Sequence, residues 1–222
     1  MPSKQQIRRK RSSSRSNTAA AVMLLFIVLM GASFYAGFRT GVNSTKFKGD
    51  ILLVNEENPL PADYVPDDLV KLYTMRHSFR LASSEIYLTR EAYEPMQAMF
   101  AAAEAENVNG FIVTSGYRSY EKQAEIYAES KPGYAQKPGA SEHQTGLAFD
   151  VTATNDGSGF ESTEQYAWIR VNAHKYGFIQ RYPSNKSHIT GISYEPLHYR
   201  YVGVEAATEI YEKNLTLEEF LD

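Results

Sequence analysis

Apolar residues are spread unevenly along the chain, and the longest uninterrupted run of them lies near the N-terminus. Ala19 to Phe38 contains no charged residue and has about the 20 residues that an α-helix needs to cross a bilayer. Six basic residues precede this run, namely Lys4, Arg8, Arg9, Lys10, Arg11 and Arg15. Because basic flanks tend to stay in the cytoplasm, we predict a cytoplasmic tail at 1–17, a single transmembrane helix at 18–38 and an extracytoplasmic remainder.

A cleavable signal peptide is the alternative interpretation of this segment. Its apolar region would be long for a signal peptide, and Phe34-Tyr35-Ala36 places bulky rings where a cleavage site requires small residues. An uncleaved membrane anchor is therefore favoured. The polar residues at 39–50 indicate a linker, and the rest of the chain, 51–222, has the length of one domain with its own core.

Within the domain, the hydrophobic spacing changes between the period of a strand and that of a helix. Ile51–Val54 and Phe111–Thr114 are short apolar runs that predict strands. The apolar residues from Ala92 to Ala103 recur three or four positions apart, which predicts a helix. A further helix is predicted after Ser119, because serine is a favoured N-cap residue.

Capping signals predict the remaining helices. Ser162 and Gln165 have the spacing of a capping box, and the helix that they begin is expected to stop at Gly177. A second capping box, formed by Thr216 and Glu219, predicts that the C-terminal segment is helical and not catalytic.

Two segments place charged or metal-binding side chains in predicted strands. Asp150 lies in the apolar run Thr145–Thr152, and His143 precedes this run on a loop. Pro196 disfavours helical angles at the residue before it, so Glu195 and His198 are expected on an extended segment. Strands of this kind with helices indicate an α+β domain, in which a small antiparallel sheet carries the site and the helices pack on one side.

These side chains have the chemistry of a catalytic zinc site. A buried carboxylate such as Asp150 requires a partner, and a metal ion is the strongest one. His143, Asp150 and His198 supply three ligands, and catalytic zinc sites leave a fourth position for water. Glu195 is available as a general base. The chain has no cysteine, so a thiolate site is excluded, and we predict a hydrolase that binds one zinc ion.

The ordered motifs resemble a known family. The pattern Ser-x-His-x6-Asp followed by Glu-x-x-His is similar to that of the VanY-type zinc D-alanyl-D-alanine peptidases, in the peptidase M15 group with the VanX-like dipeptidases and the VanXY enzymes. The resemblance covers roughly residues 52–204 and includes motifs that begin at Val54, Thr114 and Ser141. One residue departs from the pattern, because Leu197 stands where many members have tryptophan, which alters the wall of the pocket.

The resemblance implies a membrane-anchored D,D-carboxypeptidase that removes the terminal D-alanine from peptidoglycan stem peptides. Arg118 is then expected to face the substrate carboxylate or the developing oxyanion, and Ser141 and Gln123 to hold the substrate by hydrogen bonds. The alternatives are an L,D-endopeptidase, a D,D-dipeptidase, or a zinc-containing module that binds wall peptides without cleaving them. An extracytoplasmic location disfavours the dipeptidase, and the base Glu195 disfavours the module.

Charge excludes nucleic acid as a partner. Once the six basic residues of the tail are set aside from the 23 in the chain, the 26 acidic residues leave a formal charge of about −9. Nucleic acid binding depends on basic surfaces. The expected partners are therefore the stem peptide and the membrane, and a monomer is expected. His77, His174 and His188 lie outside the motifs and are interpreted as structural or surface residues.

Overall fold

The computed structural model describes residues 51–131 and 134–222. The predicted tail, transmembrane helix and linker, at 1–17, 18–38 and 39–50, lie outside the described residues. Among the helices that are described, none has both the length and the apolar character required to cross a membrane.

Strands and helices alternate along the described part of the chain. The strands are β1 (Leu69–Lys71), β2 (Arg80–Leu81), β3 (Tyr87–Thr89), β4 (Phe111–Ser115), β5 (Ala148–Ala153), β6 (Phe178–Tyr182) and β7 (Glu195–Tyr201). The α-helices are α1 (Arg90–Ala105), α2 (Tyr120–Glu129), α3 (Glu164–Asn172), α4 (Ser187–Thr190), α5 (Val204–Lys213) and α6 (Leu217–Leu221). Short 3₁₀ helices lie at Leu72–Thr74, Glu142–Thr145, Phe160–Ser162 and Ala173–Tyr176.

Five strands form the main sheet, in the order β2-β4-β5-β7-β6. The pairs from β4 to β6 are antiparallel, and only the two-residue pairing of β2 with β4 is parallel. Strands β1 and β3 form a separate antiparallel pair. The fold is therefore α+β with a small, mainly antiparallel sheet, as predicted. In the centre of the sheet, Asp150 of β5 lies opposite His198 of β7.

The two faces of the main sheet carry different helices. On the first face, α1 and α3 pack through residues such as Phe100 and Ile169 on a core that includes Phe178. The next residue, Ile179, belongs to a second cluster with α5 and α6. Because successive residues of a strand point to opposite faces, helices cover both faces, and the prediction that they pack on one side is wrong. The apolar stripe of α5 requires a buried partner, and the second face provides it.

Most of the predicted elements are confirmed, including β4, α1 and α2, whose N-cap is Ser119. The predicted C-terminal capping box is also present, with Thr216 as the N-cap of α6. The N-cap of α3 is Thr163, whose side chain accepts a hydrogen bond from the amide of Tyr166. The prediction of Ser162 was therefore wrong by one residue, because both side chains can cap and the backbone at 163 is the extended one.

The segment Ile51–Val54 is not a strand, although its apolar run predicted one. No neighbouring strand hydrogen-bonds to it within the described residues. Its apolar side chains instead pack against the cluster formed by α5 and α6, and the carbonyl of Leu52 accepts a hydrogen bond from Arg200. The run is apolar because it is buried, which does not by itself require a sheet.

Candidate functional site

The three predicted ligands meet on the second face of the sheet. His143 comes from the 3₁₀ turn Glu142–Thr145, Asp150 from β5 and His198 from β7. One ligand atom from each residue lies within 4.8 Å of the others. His143 Nε2 is 3.3 Å from Asp150 Oδ2, and His198 Nδ1 is 2.9 Å from Asp150 Oδ1. We call these three residues the metal centre.

The backbone around His143 leaves little room for side chains. Gly146 ends the turn with a positive φ of 68°, and a Cβ there would lie 3.0 Å from side-chain atoms of Leu69 and Thr89. Gly116 is closer still to its neighbour, because a Cβ there would lie 2.3 Å from the carbonyl oxygen of Tyr87. Both positions therefore require glycine, and together they bring the turn against the end of β4.

Each histidine of the metal centre has a partner on the ring nitrogen that faces away from Asp150. The Nδ1–H of His143 donates to the carbonyl oxygen of Gly116 at 2.7 Å, which leaves Nε2 as the lone-pair nitrogen. His198 Nε2 lies 3.5 Å from Glu142 Oε2, and neither atom has a hydrogen-bond partner within the described residues. A proton on this nitrogen leaves Nδ1 facing Asp150. Two imidazole nitrogens and one carboxylate thus converge, and this donor set fits zinc.

The metal centre attracts positive charge. Burial alone would raise the pKa of Asp150, but the two histidines lower it well below its ordinary value. Burial lowers the pKa of His143 to about 4, so this residue is neutral near pH 7. For His198, burial acts in the same direction, but hydrogen bonds to Asp150 and Glu142 outweigh it and raise the pKa to about 9. A cation, whether a proton or a metal ion, is therefore stabilised between Asp150 and the imidazoles.

Glu195 lies at the start of β7, three residues before His198, and it is not one of the three residues of the metal centre. It lines a cavity of about 300 Å³ into which the metal centre also opens. Burial is the main cause that raises the pKa of Glu195, and the charges of Asp150 and Glu142 add to it. A carboxylate that is close to the ligands but separate from them, with a raised pKa, has the properties of a general base.

Two irregularities in the sheet flank the metal centre. The register of β4 with β5 shifts between Val113 and Ser115, where Ser115 pairs with Asp150. The register of β6 with β7 shifts between Gln180 and Tyr182, where Tyr182 pairs with Glu195. Bulges locally change the direction of side chains, and here they lie beside a ligand and beside the candidate base.

Arg118 reaches the same cavity from the loop between β4 and α2. One guanidinium nitrogen donates to Gln123 Oε1 at 2.9 Å, and another lies 3.5 Å from Asp150 Oδ2. Burial lowers the pKa of Arg118, while Asp150 and Glu195 oppose this effect. An arginine nevertheless remains charged, so the cavity holds a cation near the metal centre that can face a substrate anion.

Gln123 and Ser141, which were predicted to bind substrate, both line the cavity. The amide of Gln123 accepts from Arg118 and donates to the carbonyl oxygen of Gln136 at 2.7 Å, so both of its polar groups already have protein partners. Ser141 is 4% exposed, and its hydroxyl has no hydrogen-bond partner among the described residues. The geometry favours a positioning role toward Arg118 for Gln123, whereas the Ser141 hydroxyl is free for a substrate.

A buried charge cluster beside the metal centre escaped the sequence interpretation. Glu142 Oε1 accepts hydrogen bonds from Arg181 at 2.8 Å and from Arg200 at 2.9 Å. Arg181 also donates to both carboxylate oxygens of Glu218 in α6, at 2.9 and 2.5 Å. We call these four residues the Glu142 network. Its sequence signal was a charge in an apolar strand at Arg181 and Arg200, the same signal that identified Asp150.

The other three histidines do not line the cavity of the metal centre. His77 Nδ1 bonds to the carbonyl oxygen of Phe79 at 2.7 Å, and His174 stacks on Tyr211 with ring centroids 3.9 Å apart. His188 is exposed in α4. These contacts agree with the interpretation of all three as structural or surface residues.

Comparison with known proteins identifies relatives of the same design. The family model of VanY, D-alanyl-D-alanine carboxypeptidase, matches residues 85–204. A D-alanyl-D-alanine carboxypeptidase of Enterococcus faecalis is 42% identical in an alignment of 189 residues, and the match covers 78% of this chain and 65% of that protein. Three of the curated relatives are longer proteins, and the chain spans between 58% and 67% of their length.

Two solved structures are similar over most of the described residues. The LD-carboxypeptidase LdcB is 38% identical, with a TM-score of 0.69, and the alignment covers 78% of this chain and 86% of that one. A mutant of the vancomycin-resistance D,D-pentapeptidase VanY, in complex with Zn(II), is 40% identical, with a TM-score of 0.64 and coverage of 77% and 98%. A relative of this fold thus binds zinc, in agreement with the donor set of His143, Asp150 and His198.

Proposed function

This chain belongs to the VanY family of D-alanyl-D-alanine carboxypeptidases, and on that premise we propose that it removes the terminal D-alanine from peptidoglycan stem peptides with the help of one zinc ion. The observation that carries the proposal is the combination of three converging ligands with a separate base. His143, Asp150 and His198 meet at one point, and Glu195 lines the same cavity without joining them.

The residues of the cavity divide the work of amide hydrolysis. Zinc held by His143 Nε2, Asp150 and His198 Nδ1 would supply a Lewis acid that polarises the scissile carbonyl and lowers the pKa of water toward about 7. Glu195 takes the proton of the attacking water and returns it to the leaving amine. Arg118 stabilises the developing oxyanion or pairs with the terminal carboxylate of the peptide. The hydroxyl of Ser141 is free to hold the peptide backbone.

An L,D-carboxypeptidase is the second candidate, and the similarity to LdcB favours it specifically. The two activities share the reaction and differ in the residue before the scissile bond. Leu197, which is 37% exposed at the cavity, is one side chain whose size affects that choice. The earlier alternatives, an L,D-endopeptidase, a D,D-dipeptidase and a non-catalytic binding module, can be distinguished in the same experiment.

The test uses the full-length protein, loaded with zinc, and mass spectrometry of the products. The substrates are a stem pentapeptide that ends in D-Ala-D-Ala, the corresponding tetrapeptide, the free D-Ala-D-Ala dipeptide and a cross-linked stem. We expect loss of one D-alanine from the pentapeptide, abolished by a chelator and restored by zinc. Cleavage of the tetrapeptide alone would support the second candidate. If no substrate is cut, the hydrolase proposal is wrong, and retained peptide binding would then favour the module.

We further propose that residues 18–38 anchor the protein in the cell membrane, with the catalytic domain extracytoplasmic. The support is the uncharged apolar run and the six basic residues before it. The protein should then fractionate with membranes, resist a high-salt wash and expose its C-terminus to external protease. A mature N-terminus near Gly37, with release into the medium, would instead indicate a cleaved signal peptide.

A further inference from the structure

A second cavity, of about 380 Å³, lies around the edge strand β6. Tyr199 of β7 lines it, whereas the preceding residue, His198, faces the metal centre. Because neighbouring residues of a strand point to opposite faces, the two cavities lie on opposite sides of β7. Tyr194, just before this strand, lines both of them. We call the second cavity the β6 groove, and the residues that define it are Tyr166, Arg170, His174, Gln180, Tyr199 and Tyr211.

The β6 groove contains a buried hydroxyl for which the described residues offer no partner. Tyr199 is 0% exposed, and its hydroxyl makes no hydrogen bond among the described residues. The neighbouring hydroxyls are engaged elsewhere, because Tyr194 donates to Glu161 at 2.7 Å and contacts the hydroxyl of Tyr166 at 2.9 Å. A buried polar group without a partner is unfavourable, so this hydroxyl gains if it bonds to a ligand.

The lining of the β6 groove includes basic but no acidic side chains, and the carboxylate of Glu161 bonds to Tyr194 of this lining. In the whole chain, by contrast, acidic residues outnumber basic ones by 26 to 23. Lys186 at one side is neutralised by Glu219, whose two carboxylate oxygens lie 2.9 Å from Nζ. Arg170 has no ion pair within the described residues. The groove therefore offers one available guanidinium group to an anion.

Aromatic rings form the other end of the β6 groove. His174 and Tyr211 stack with an interplanar angle of 8°, and Tyr211 is 45% exposed. An exposed, rigid aromatic surface suits the apolar C–H face of a sugar ring, and hydroxyl donors beside it suit the ring oxygens. A cation, an unpartnered hydroxyl and an aromatic surface within one cavity together fit a ligand that is polar, flat and acidic.

We propose that the β6 groove binds an anionic sugar, that is, a hydroxyl-rich ring that carries a carboxylate or a phosphate group. Arg170 pairs with the acidic group, the hydroxyl of Tyr199 bonds to the ligand, and Tyr211 packs against the ring. The assignment does not depend on the proposed hydrolysis, because it concerns binding on the other face of β7. The proposed function, hydrolysis of cell-wall peptides, determines only which acidic compounds are chosen as probes.

The experiment is calorimetric titration of the full-length protein with three probes. N-acetylmuramic acid presents a carboxylate on an amino sugar, glycerol phosphate presents a phosphate on a polyol, and N-acetylglucosamine is the neutral control. We expect one of the acidic probes to bind saturably and the neutral sugar to bind at least about tenfold more weakly. Binding of N-acetylmuramic acid would indicate a carboxylate ligand, and binding of glycerol phosphate would indicate a phosphate ligand. Absence of saturable binding by both acidic probes would overturn the proposal.

Two variants test the residues that carry the proposal. Arg170→Gln should weaken binding of the acidic probe about tenfold, whereas Arg90→Gln, on the exposed side of α1, should not. Tyr199→Phe should weaken it about fivefold, while Tyr201→Phe on the same strand should leave it unchanged. Equal binding by Arg170→Gln and the wild type would reject the anion site.

A structural role for the Tyr199 hydroxyl makes a different prediction. Removing an unpartnered buried hydroxyl should leave the melting temperature of Tyr199→Phe unchanged or raise it, and a fall in the melting temperature would contradict our reading of the groove. Hydrolysis of a short stem peptide that lacks sugar should be the same in Tyr199→Phe and the wild type. Absence of ligand binding in the β6 groove and absence of the proposed hydrolysis are therefore separate outcomes.

Discussion

Two clusters of buried charge lie side by side on the second face of the sheet, and their charges are balanced in different ways. The Glu142 network combines two glutamates with two arginines, and its members hydrogen-bond to one another at 2.5 to 2.9 Å. The metal centre instead combines one carboxylate, Asp150, with two imidazoles that each direct one ring nitrogen at it. His198 touches both clusters, through Asp150 on one nitrogen and Glu142 on the other.

The difference separates a structural cluster from a functional one. A cluster whose charges are balanced internally requires no ion from solution, and removal of one member is strongly destabilising because it leaves a buried charge unpaired. The metal centre directs its lone pairs at a common point and gains from an external cation. The comparison predicts that substitutions in the metal centre change zinc binding and activity, whereas those in the Glu142 network act first on stability.

The largest effect is expected from loss of a ligand. His143→Ala or His198→Ala should reduce zinc content from near one ion per protein to near zero, a loss of affinity beyond the 10–100-fold that an outer partner typically contributes. Metal analysis after gel filtration measures the content. His188→Ala, an exposed histidine, is the matched control and should retain zinc. Full zinc content in both ligand variants would remove the metal centre as the binding site.

Glu195→Gln should separate catalysis from metal binding. It removes the base but keeps the size of the side chain, so release of D-alanine should fall by about 10²–10⁴-fold while zinc content and melting temperature stay the same. The rate is measured on the stem pentapeptide, with the exposed Glu205→Gln as the control. Wild-type rates in Glu195→Gln would refute the mechanism.

Glu142→Gln tests how far the Glu142 network affects the metal centre, because Glu142 lies beside His198. Two buried arginines lose their shared carboxylate, which should destabilise the protein by about 3–5 kcal/mol in denaturant unfolding. The same change replaces the carboxylate beside His198 Nε2 with a neutral amide and should weaken zinc binding about 10–100-fold.

Glu218→Gln is the matched control, because Glu218 bonds to Arg181, whereas the ion-pair partners of His198 among the described residues are Glu142 and Asp150. It should destabilise the zinc-free protein without changing the affinity for zinc in chelator competition. The proposed difference between the two clusters would be wrong if Glu142→Gln and Glu218→Gln weakened zinc binding equally, or if neither variant lowered the free energy of unfolding.

A further effect concerns pH. His198 has a pKa of about 9 in the folded protein, above the ordinary 6.5, so a proton must leave before zinc binds. His143, with a pKa of about 4, is already neutral. The apparent zinc affinity should therefore rise about tenfold per unit from about pH 6.5 to 9 and then level off, as measured with an indicator chelator. A constant affinity over this range would contradict the charge assignment.

The same pKa predicts the stability of the zinc-free protein. A raised pKa in the folded state means that protonated His198 contributes stability below pH 6.5 and loses it as pH rises toward about 9. Thermal unfolding in the presence of chelator should show this decline. His198→Ala should not show it, which provides the control.

Local sequence patterns predicted the helices and strands correctly where the pattern was compatible with only one kind of structure. The helical spacing at α1 and the capping box at Thr216 are local features, and both are confirmed. The prediction of a strand at Ile51–Val54 is wrong, because burial against α5 and α6 requires the same apolar residues as a strand does. The prediction of Ser162 as the N-cap is wrong because the adjacent Thr163 also has a hydroxyl, and the backbone angles decide which of the two residues caps the helix.

The sequence by itself determined the chemistry of the metal centre, since the types and spacing of His143, Asp150 and His198 already specify three ligands without cysteine. Only the tertiary structure decided which atoms meet, because strand register sets Asp150 opposite His198. It also decided the partners of Glu142, which lie 39 and 58 residues away in the chain. Spacing along a chain encodes contacts within one turn or one strand, whereas a buried charge is balanced by whichever groups the folded sheet brings beside it.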